Sequence, residues 1–179
     1  MIPALQDDET FWRIIQAACM SDASSVERWN ARLVDELAAL PAKAIIGWDA
    51  RFHALAERAH RTDLWAAAHL INGGTTAVGF FEFRCWLIGM GSQVYAAALS
   101  DPDSLADVVR ASWDPRGIDA EAKIDGAARQ AWMNVTGGAS NDYPALVAAP
   151  SRVEAVGDLD DTQRMELQFP RLFSILAQT

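Results

Sequence analysis

The chain has 179 residues, of which 24 are acidic and 15 are basic, so its formal net charge is −9. The length suits one domain, and a composition that is 51% hydrophobic and 22% charged excludes both a disordered chain and a bilayer protein. Because nucleic acids and anionic membranes attract a field of Lys and Arg, we expect neither as a partner.

Cysteine usage and the first residues indicate the cellular compartment. Cys19 and Cys85 lie in apolar runs and form no Cys-x-x-Cys pair, which predicts buried thiols and no disulfide scaffold. The first residues have no basic stretch followed by a long apolar run, so we expect no signal peptide. A cytoplasmic location follows as a prediction.

The first 60 residues predict three helices. Asp7 or Asp8 caps the first, a capping box at 24–27 opens the second, and Pro41 separates the second from the third. Apolar residues recur at spacings of three and four along each helix, which is the pattern of one buried face. The faces are rich in aromatic rings and comprise Phe11, Trp12 and Ile14, then Trp29, Leu33 and Leu37, then Ile45, Trp48, Phe52 and Leu55.

Four further helices are predicted: one over residues 63–71, one that Thr75 or Thr76 caps and that runs through Met90, one from Ser92 through Leu99, and one over 105–111. Glycine ends a helix easily because it adopts a left-handed conformation without steric cost, and a hydroxyl side chain caps the first amides of the next helix. The residues that fill these roles are Thr62, Gly73, Gly74, Thr75 or Thr76, Gly89, Gly91 and Ser92. A turn at 101–104 leads into the last of the four.

The rest of the chain predicts one helix, an irregular arm and a final helix. Residues 118–135 have helical periodicity that closes at Gly137 and Gly138, and periodicity then fails until a helix over 162–169, which Pro170 interrupts. A short extended piece is predicted at 153–156. The fold class is therefore mainly α: a single orthogonal multi-helix domain with a helical core over about 8–137 and an irregular C-terminal arm with the last helix over 138–179.

The densest group of distinctive residues lies between 61 and 105. Its motifs are Arg61-x-Asp63-Leu64-Trp65, Ile71-Asn72-Gly73-Gly74, Phe80-x-x-Phe83-Arg84-x-Trp86-Leu87-Ile88-x-x-Gly91 and Asp101-Pro102-Asp103-Ser104-Leu105. Together with Phe11-Trp12, the Ala-Trp-x-x-x-Thr-Gly of 131–137 and the Phe-Pro-Arg-Leu of 169–172, they resemble the bacterial domain-of-unknown-function 4240 family over nearly the whole chain.

The resemblance implies a shared fold and no assigned activity. Members of that family usually carry a Ser-Asp-Asp-like acidic stretch after the double glycine, whereas this chain has Thr75-Thr76-Ala77-Val78. A metal-binding or proton-transfer role that depends on those acids is therefore not implied here.

Arg84 is the charge that stands out, because it shares an apolar helix face with Phe80. A buried guanidinium needs a carboxylate or carbonyl partner, and Asp63 and Glu82 are candidates for a structural ion pair. The alternative is that Arg84 faces a pocket and binds a carboxylate or phosphate in bidentate geometry. Glu82, on a different face of the helix, is either solvated or a general base.

Cofactor and metal motifs are absent from the sequence. His53 and His60 are seven residues apart without a His-Glu-x-x-His motif, no Gly-x-Gly-x-x-Gly follows a strand, and Gly73-Gly74-Thr75-Thr76 is not a P-loop. Spaced calcium ligands are also missing near Asp158–Asp161, whose charges suit a helix N-terminus. We expect no cofactor and no metal.

Two hypotheses for function follow, and the sequence leaves open whether the protein is an enzyme. The first is a metal-independent enzyme or binding domain for an anionic or peptide-like small molecule. Its catalytic candidates are Glu82, Asp63 and His69, and its ligand-binding candidates are Arg84, Arg61, Asn72, Trp65, Trp86, Thr75 and Thr76. The second is a protein-interaction or regulatory module whose motifs only hold the fold. The oligomeric state is not predicted.

Overall fold

A computed structural model describes residues 7–19, 26–112, 123–144, 159 and 161–176. Those residues form helices and short 3-10 turns, with no strand among them, which confirms the mainly α class. The helices are α1 (Asp8–Cys19), α2 (Val26–Ala38), α3 (Ala42–Arg58), α4 (Thr62–Asn72), α5 (Ala77–Gly89), α6 (Ser92–Ser100), α7 (Leu105–Ser112), α8 (Ala127–Thr136), α9 (Thr162–Gln168) and α10 (Pro170–Leu176).

The chain divides into two compact units. Unit 1 comprises residues 1–57 and 122–150, and unit 2 comprises residues 58–121 and 151–179. Unit 1 therefore contains α1, α2, α8 and nearly all of α3, whereas unit 2 contains α4–α7, α9 and α10. The predicted organisation as one domain, with a core over 8–137 and an arm over 138–179, stays a prediction.

Unit 1 is built on the aromatic faces that the sequence predicts. Phe11 stacks on Trp48 with ring centroids 5.1 Å apart, and Trp48 stacks on Phe52 at 5.5 Å. Leu33 and Leu37 of α2 are also fully buried. Asp7 caps α1 by accepting a hydrogen bond from the Thr10 amide at 2.8 Å. The capping box at 24–27 lies outside the described side chains.

The ends of the helices in unit 2 lie at the predicted glycine and threonine residues, with one exception. Gly73 is left-handed at the end of α4 (φ 64°), and the Thr76 hydroxyl caps α5 by accepting from the Gly79 amide at 3.1 Å. The prediction that Thr62 caps α4 is wrong: Thr62 is the first helical residue, and Arg61 precedes it without a side-chain cap.

Two later segments refine the sequence prediction. The described part of the helix predicted over 118–135 begins as a 3-10 turn, Lys123–Gly126, before α8. Gly126 explains the late start, since glycine costs about 1 kcal/mol in a helix interior. The predicted interruption lies one residue earlier than expected: α9 ends at Gln168, the break is at Phe169, and Pro170 is the first residue of α10. The extended piece predicted at 153–156 lies outside the described residues.

Candidate functional site

Arg61 and Asp63 form a bidentate ion pair at the start of α4. Arg61 Nε donates to Asp63 Oδ1 at 3.0 Å, and the Arg61 Nη2 group pairs with Asp63 Oδ2. The Arg61 Nη1 group donates to the carbonyl oxygen of Leu99 at 2.6 Å. Because Asp63 also accepts from the Leu64 amide at 2.8 Å, both charges are largely occupied in joining α4 to the end of α6.

Arg84 is buried against aromatic rings of unit 2. It is 7% exposed, and its guanidinium carbon lies 5.0 Å from the Phe80 ring centroid and 5.3 Å from that of Phe81. Phe80 in turn stacks on Trp65 at 4.7 Å. A guanidinium over the face of a ring is attracted by the ring quadrupole, so these contacts stabilise the packing of α5.

The sequence-predicted site residues divide into groups instead of converging. Arg61 and Asp63 stand at the first turn of α4, whereas Asn72 stands at its last residue. At 1.5 Å per residue, the nine steps from Asp63 to Asn72 span about 14 Å, too far for one small ligand to bridge through short contacts. Thr75 and Thr76 follow Asn72 at the connection between α4 and α5.

The remaining predicted residues lie on α4 and α5 and are half-buried. His69 is three residues before Asn72, so the two side chains lie on neighbouring turns of one helix face. Trp86 packs its ring against Phe83 with centroids 5.4 Å apart. Glu82 lies between the two phenylalanines of its motif, partly open to solvent.

Asn72 carries an unsatisfied polar atom. Its side-chain nitrogen, Nδ2, is buried and has no hydrogen-bond acceptor within the part of the chain that the structure describes. Buried polar atoms are nearly always hydrogen-bonded in proteins, and leaving one without a partner costs about 1–3 kcal/mol. Asn72 therefore marks a position where an acceptor from outside the described residues would be stabilising.

Sequence reasoning missed a buried polar cluster in unit 1. Asp49 is 4% exposed, and its Oδ2 atom accepts from the Tyr143 hydroxyl at 2.8 Å. Its Oδ1 atom lies 3.6 Å from Nε2 of His53, one helical turn later. The sequence did contain one signal: a carboxylate next to Trp48 on a buried face, four residues before a histidine. Tyr143, however, lies 94 residues from Asp49, and no local pattern joins the two residues.

Burial raises the pKa of the Asp49 carboxyl, because desolvation outweighs the Tyr143 hydrogen bond and the charges of His53 and Arg129. Burial also raises the pKa of the Tyr143 phenol, together with the neighbouring Asp49 charge, so the phenol remains the hydrogen-bond donor. A carboxyl whose folded pKa is raised stabilises the fold fully below its unfolded pKa, and that contribution is lost as the pH rises through the folded pKa.

The Asp49→Asn variant tests the direction in which the Asp49 carboxyl makes stability depend on pH. Asparagine keeps an oxygen for the Tyr143 hydroxyl but carries no charge to desolvate. We therefore expect the melting temperature of the variant to rise relative to that of the parent as the pH increases from about 4 to about 8. Calorimetric melts of both proteins across that range measure the difference. A gap that shrinks or reverses with rising pH would contradict the assignment.

Across residues 7–19, 26–112, 123–144 and 161–176, no group of three or more His, Cys, Asp or Glu side chains is placed to hold a metal ion. None of the described helices has the length and apolarity needed to cross a bilayer.

Comparison with known proteins places the chain in a family. The model of the family described as "Protein of unknown function (DUF4240)" matches residues 7–134. The match includes α1 to α7 and most of α8, with the motifs between 61 and 105, and it ends before the Phe-Pro-Arg-Leu of 169–172. No curated protein and no solved structure matches the chain.

Proposed function

Since the chain belongs to the DUF4240 family, we propose that it is a binding domain for an anionic or peptide-like small molecule, held without a metal at the end of α4. The observation that carries the proposal is the buried Asn72 Nδ2 atom without an acceptor among the described residues. A carboxylate or a peptide carbonyl would supply that acceptor and recover the free energy lost by burying the amide.

The connection that follows Asn72 supports a ligand with negative charge. Gly73 and Gly74 both have positive φ, which turns the chain sharply into the N-terminus of α5. The first amides of a helix carry partial positive charge and bind anions, and the Thr75 and Thr76 hydroxyls lie beside them. The Thr76 hydroxyl accepts from the Gly79 amide, and the Thr75 hydroxyl donates to the Thr76 carbonyl oxygen at 3.3 Å, so a ligand would compete with these local contacts.

Catalysis is the less supported part of the first hypothesis. Asp63 is engaged by Arg61 and by the Leu64 amide, so it is poorly placed to exchange a proton with a substrate. His69 lies nearer to Asn72 and is the stronger acid–base candidate, with Glu82 on the following helix. We therefore propose binding as the function and keep His69 and Glu82 as candidates for chemistry.

Thermal shift with defined probes tests the proposal. The probes are acetate, succinate, citrate and N-acetylated dipeptides, because they present carboxylates and peptide carbonyls. A ligand at 100 times its Kd stabilises a protein by about 2.7 kcal/mol, so a binding probe should raise the melting temperature by several degrees. We expect Asn72→Ala to lose that response.

Asn134→Ala is the matched control, since Asn134 is an exposed asparagine on α8 that accepts from the Gln130 side chain at 3.0 Å. It should respond to the probes as the parent does. The proposal fails if no probe shifts the parent protein, or if the Asn72→Ala variant responds as strongly as the Asn134→Ala variant.

A protein-interaction or regulatory module is the second candidate. The contacts of Arg61, Asp63 and Arg84 hold helices together, which is the outcome expected of motifs that serve the fold. Val78 is also 67% exposed at the start of α5. A cytoplasmic location and the absence of nucleic-acid partners stay predictions from the sequence under either function.

A further inference from the structure

Asp49, His53 and Tyr143 of unit 1 form a connected polar group that joins the core of the unit to its surface. The Asp49 side chain is 6% exposed, and the His53 side chain is 29% exposed. Asp49 Oδ2 accepts from the Tyr143 hydroxyl at 2.8 Å, which leaves Oδ1 to face His53 Nε2 at 3.6 Å. The carboxylate is therefore fixed by one partner and directed at the other.

We propose that His53 is the proton-accepting group of a general-base site in unit 1, with Asp49 and Tyr143 as positioning residues, and that it acts on a hydroxyl-bearing small molecule. This site shares no residue with the proposed binding site at Asn72. An Asp carboxylate directed at one ring nitrogen favours the tautomer that carries its proton there, which leaves the other nitrogen as an acceptor.

The proposed step balances without a cofactor. Nδ1 of His53 takes the proton of a ligand hydroxyl, the oxygen keeps the electron pair of the broken O–H bond, and the imidazolium that forms is stabilised by the Asp49 carboxylate. The 3.6 Å separation suits this role, because hydrogen bonds of acid–base groups are often long without substrate and tighten when it binds. The proton leaves His53 to solvent afterwards.

A purely structural role explains the carboxylate poorly. Trp48 and Phe52, on either side of Asp49 along α3, are fully buried, so the charge sits in an apolar core where it costs free energy. An asparagine would accept the Tyr143 hydroxyl without that cost. A carboxyl group in a position where an amide would bind the Tyr143 hydroxyl equally well marks a functional candidate.

The charges around Asp49 are compatible with a polarised histidine. Arg129 of α8 lies over the Tyr143 ring at 5.7 Å and favours the ionised carboxylate, whereas Asp125 of the 3-10 turn opposes it. His53 itself contributes in the same direction as Arg129. Within the described part of the chain, the titratable and charged side chains that act on Asp49 are therefore His53, Tyr143, Arg129 and Asp125.

Acylation by diethyl pyrocarbonate at about pH 8 tests the site, because that electrophile attacks an unprotonated imidazole nitrogen. Peptide mass spectrometry follows His53, His60 and His69 separately in the same sample. We expect His53 to be acylated faster than His60 and His69. The Asp49→Asn substitution should slow the acylation of His53 several-fold and leave the acylation rates of His60 and His69 unchanged. Asp35→Asn is the matched control, because Asp35 is an exposed carboxylate of α2 that is not among the groups acting on Asp49, and it should leave the acylation rate of His53 unchanged.

Nitrogen-15 NMR of the imidazoles gives a readout that a merely structural role would not move. We expect His53 to hold its proton on Nε2 in the parent and in Asp35→Asn, and to become a mixture of tautomers in Asp49→Asn and Tyr143→Phe. Equal acylation of His53 in the parent and in Asp49→Asn would overturn the proposal. A parent spectrum with the proton on Nδ1 would overturn it as well, without depending on whether any variant folds.

Discussion

Replacing Asp103 by alanine is expected to lower the free energy of unfolding by about 2–4 kcal/mol. Asp103 is 5% exposed, and its carboxylate accepts from two backbone amides at the start of α10: Arg171 to Oδ2 at 3.0 Å and Leu172 to Oδ1 at 2.9 Å. Alanine would leave both buried donors without an acceptor.

The Asp107→Ala variant is the control that distinguishes the effect of the Asp103 helix cap from the effect of removing a surface charge. Asp107 is exposed and pairs with the Arg171 guanidinium. Exposed ion pairs contribute at most about 1 kcal/mol, so its loss should be small. Urea unfolding of the two variants and the parent measures the difference. If the Asp103→Ala variant is as stable as the Asp107→Ala variant, the Asp103 carboxylate does not stabilise α10.

The Asp103 contact also explains why two distant motifs occur together. Asp103 belongs to the Asp-Pro-Asp-Ser-Leu motif, and Arg171 and Leu172 belong to the Phe-Pro-Arg-Leu motif, 68 and 69 residues later. One supplies a carboxylate and the other supplies the free amides of a helix N-terminus. The pair of motifs therefore serves the packing of unit 2.

Replacing Arg84 by alanine is expected to lower the free energy of unfolding by about 2–3 kcal/mol. The guanidinium lies over Phe80 and Phe81, and the side chain is almost fully buried. Alanine removes two cation–π contacts and leaves the space of the long stem unfilled. In a protein of this size, each 1 kcal/mol lowers the melting temperature by about 2–4 °C.

Two further variants decide what Arg84 contributes. Arg84→Met keeps the apolar stem and loses the charge, so it should retain part of the stability if packing dominates. Arg164→Ala, at an exposed arginine of α9, should change the melting temperature little. If the Arg84→Ala and Arg164→Ala variants have the same melting temperature, Arg84 does not stabilise the fold, and that result would favour the hypothesis that it binds a ligand.

Much of the fold was predictable because it depends on neighbours in the sequence. The apolar spacing in α3, the left-handed glycine at Gly73 and the hydroxyl cap at Thr76 each involve residues within one or two helical turns. The error at Thr62 has the same local origin, since a hydroxyl before a helix resembles a cap whether or not it forms the hydrogen bond.

The sequence named candidate site residues, which stay a prediction, but it did not predict the partners of those residues. The sequence offered Asp63 and Glu82 to Arg84, whereas the structure joins Asp63 to Arg61 two residues away and to the end of α6 through Leu99. Which carboxylate a guanidinium meets depends on how helices cross, and the periodicity of one helix does not contain that information.

The sequence by itself determined the mainly α class, most helix ends and the family, since capping, turns and one-sided burial are local and leave a pattern along the chain. Only the tertiary structure decided that Asp49 meets Tyr143, that Asp103 caps α10 and that the motif residues separate along α4. Those contacts join segments up to 94 residues apart. Their partners meet only once the helices have packed, so no local pattern along the chain could contain these contacts.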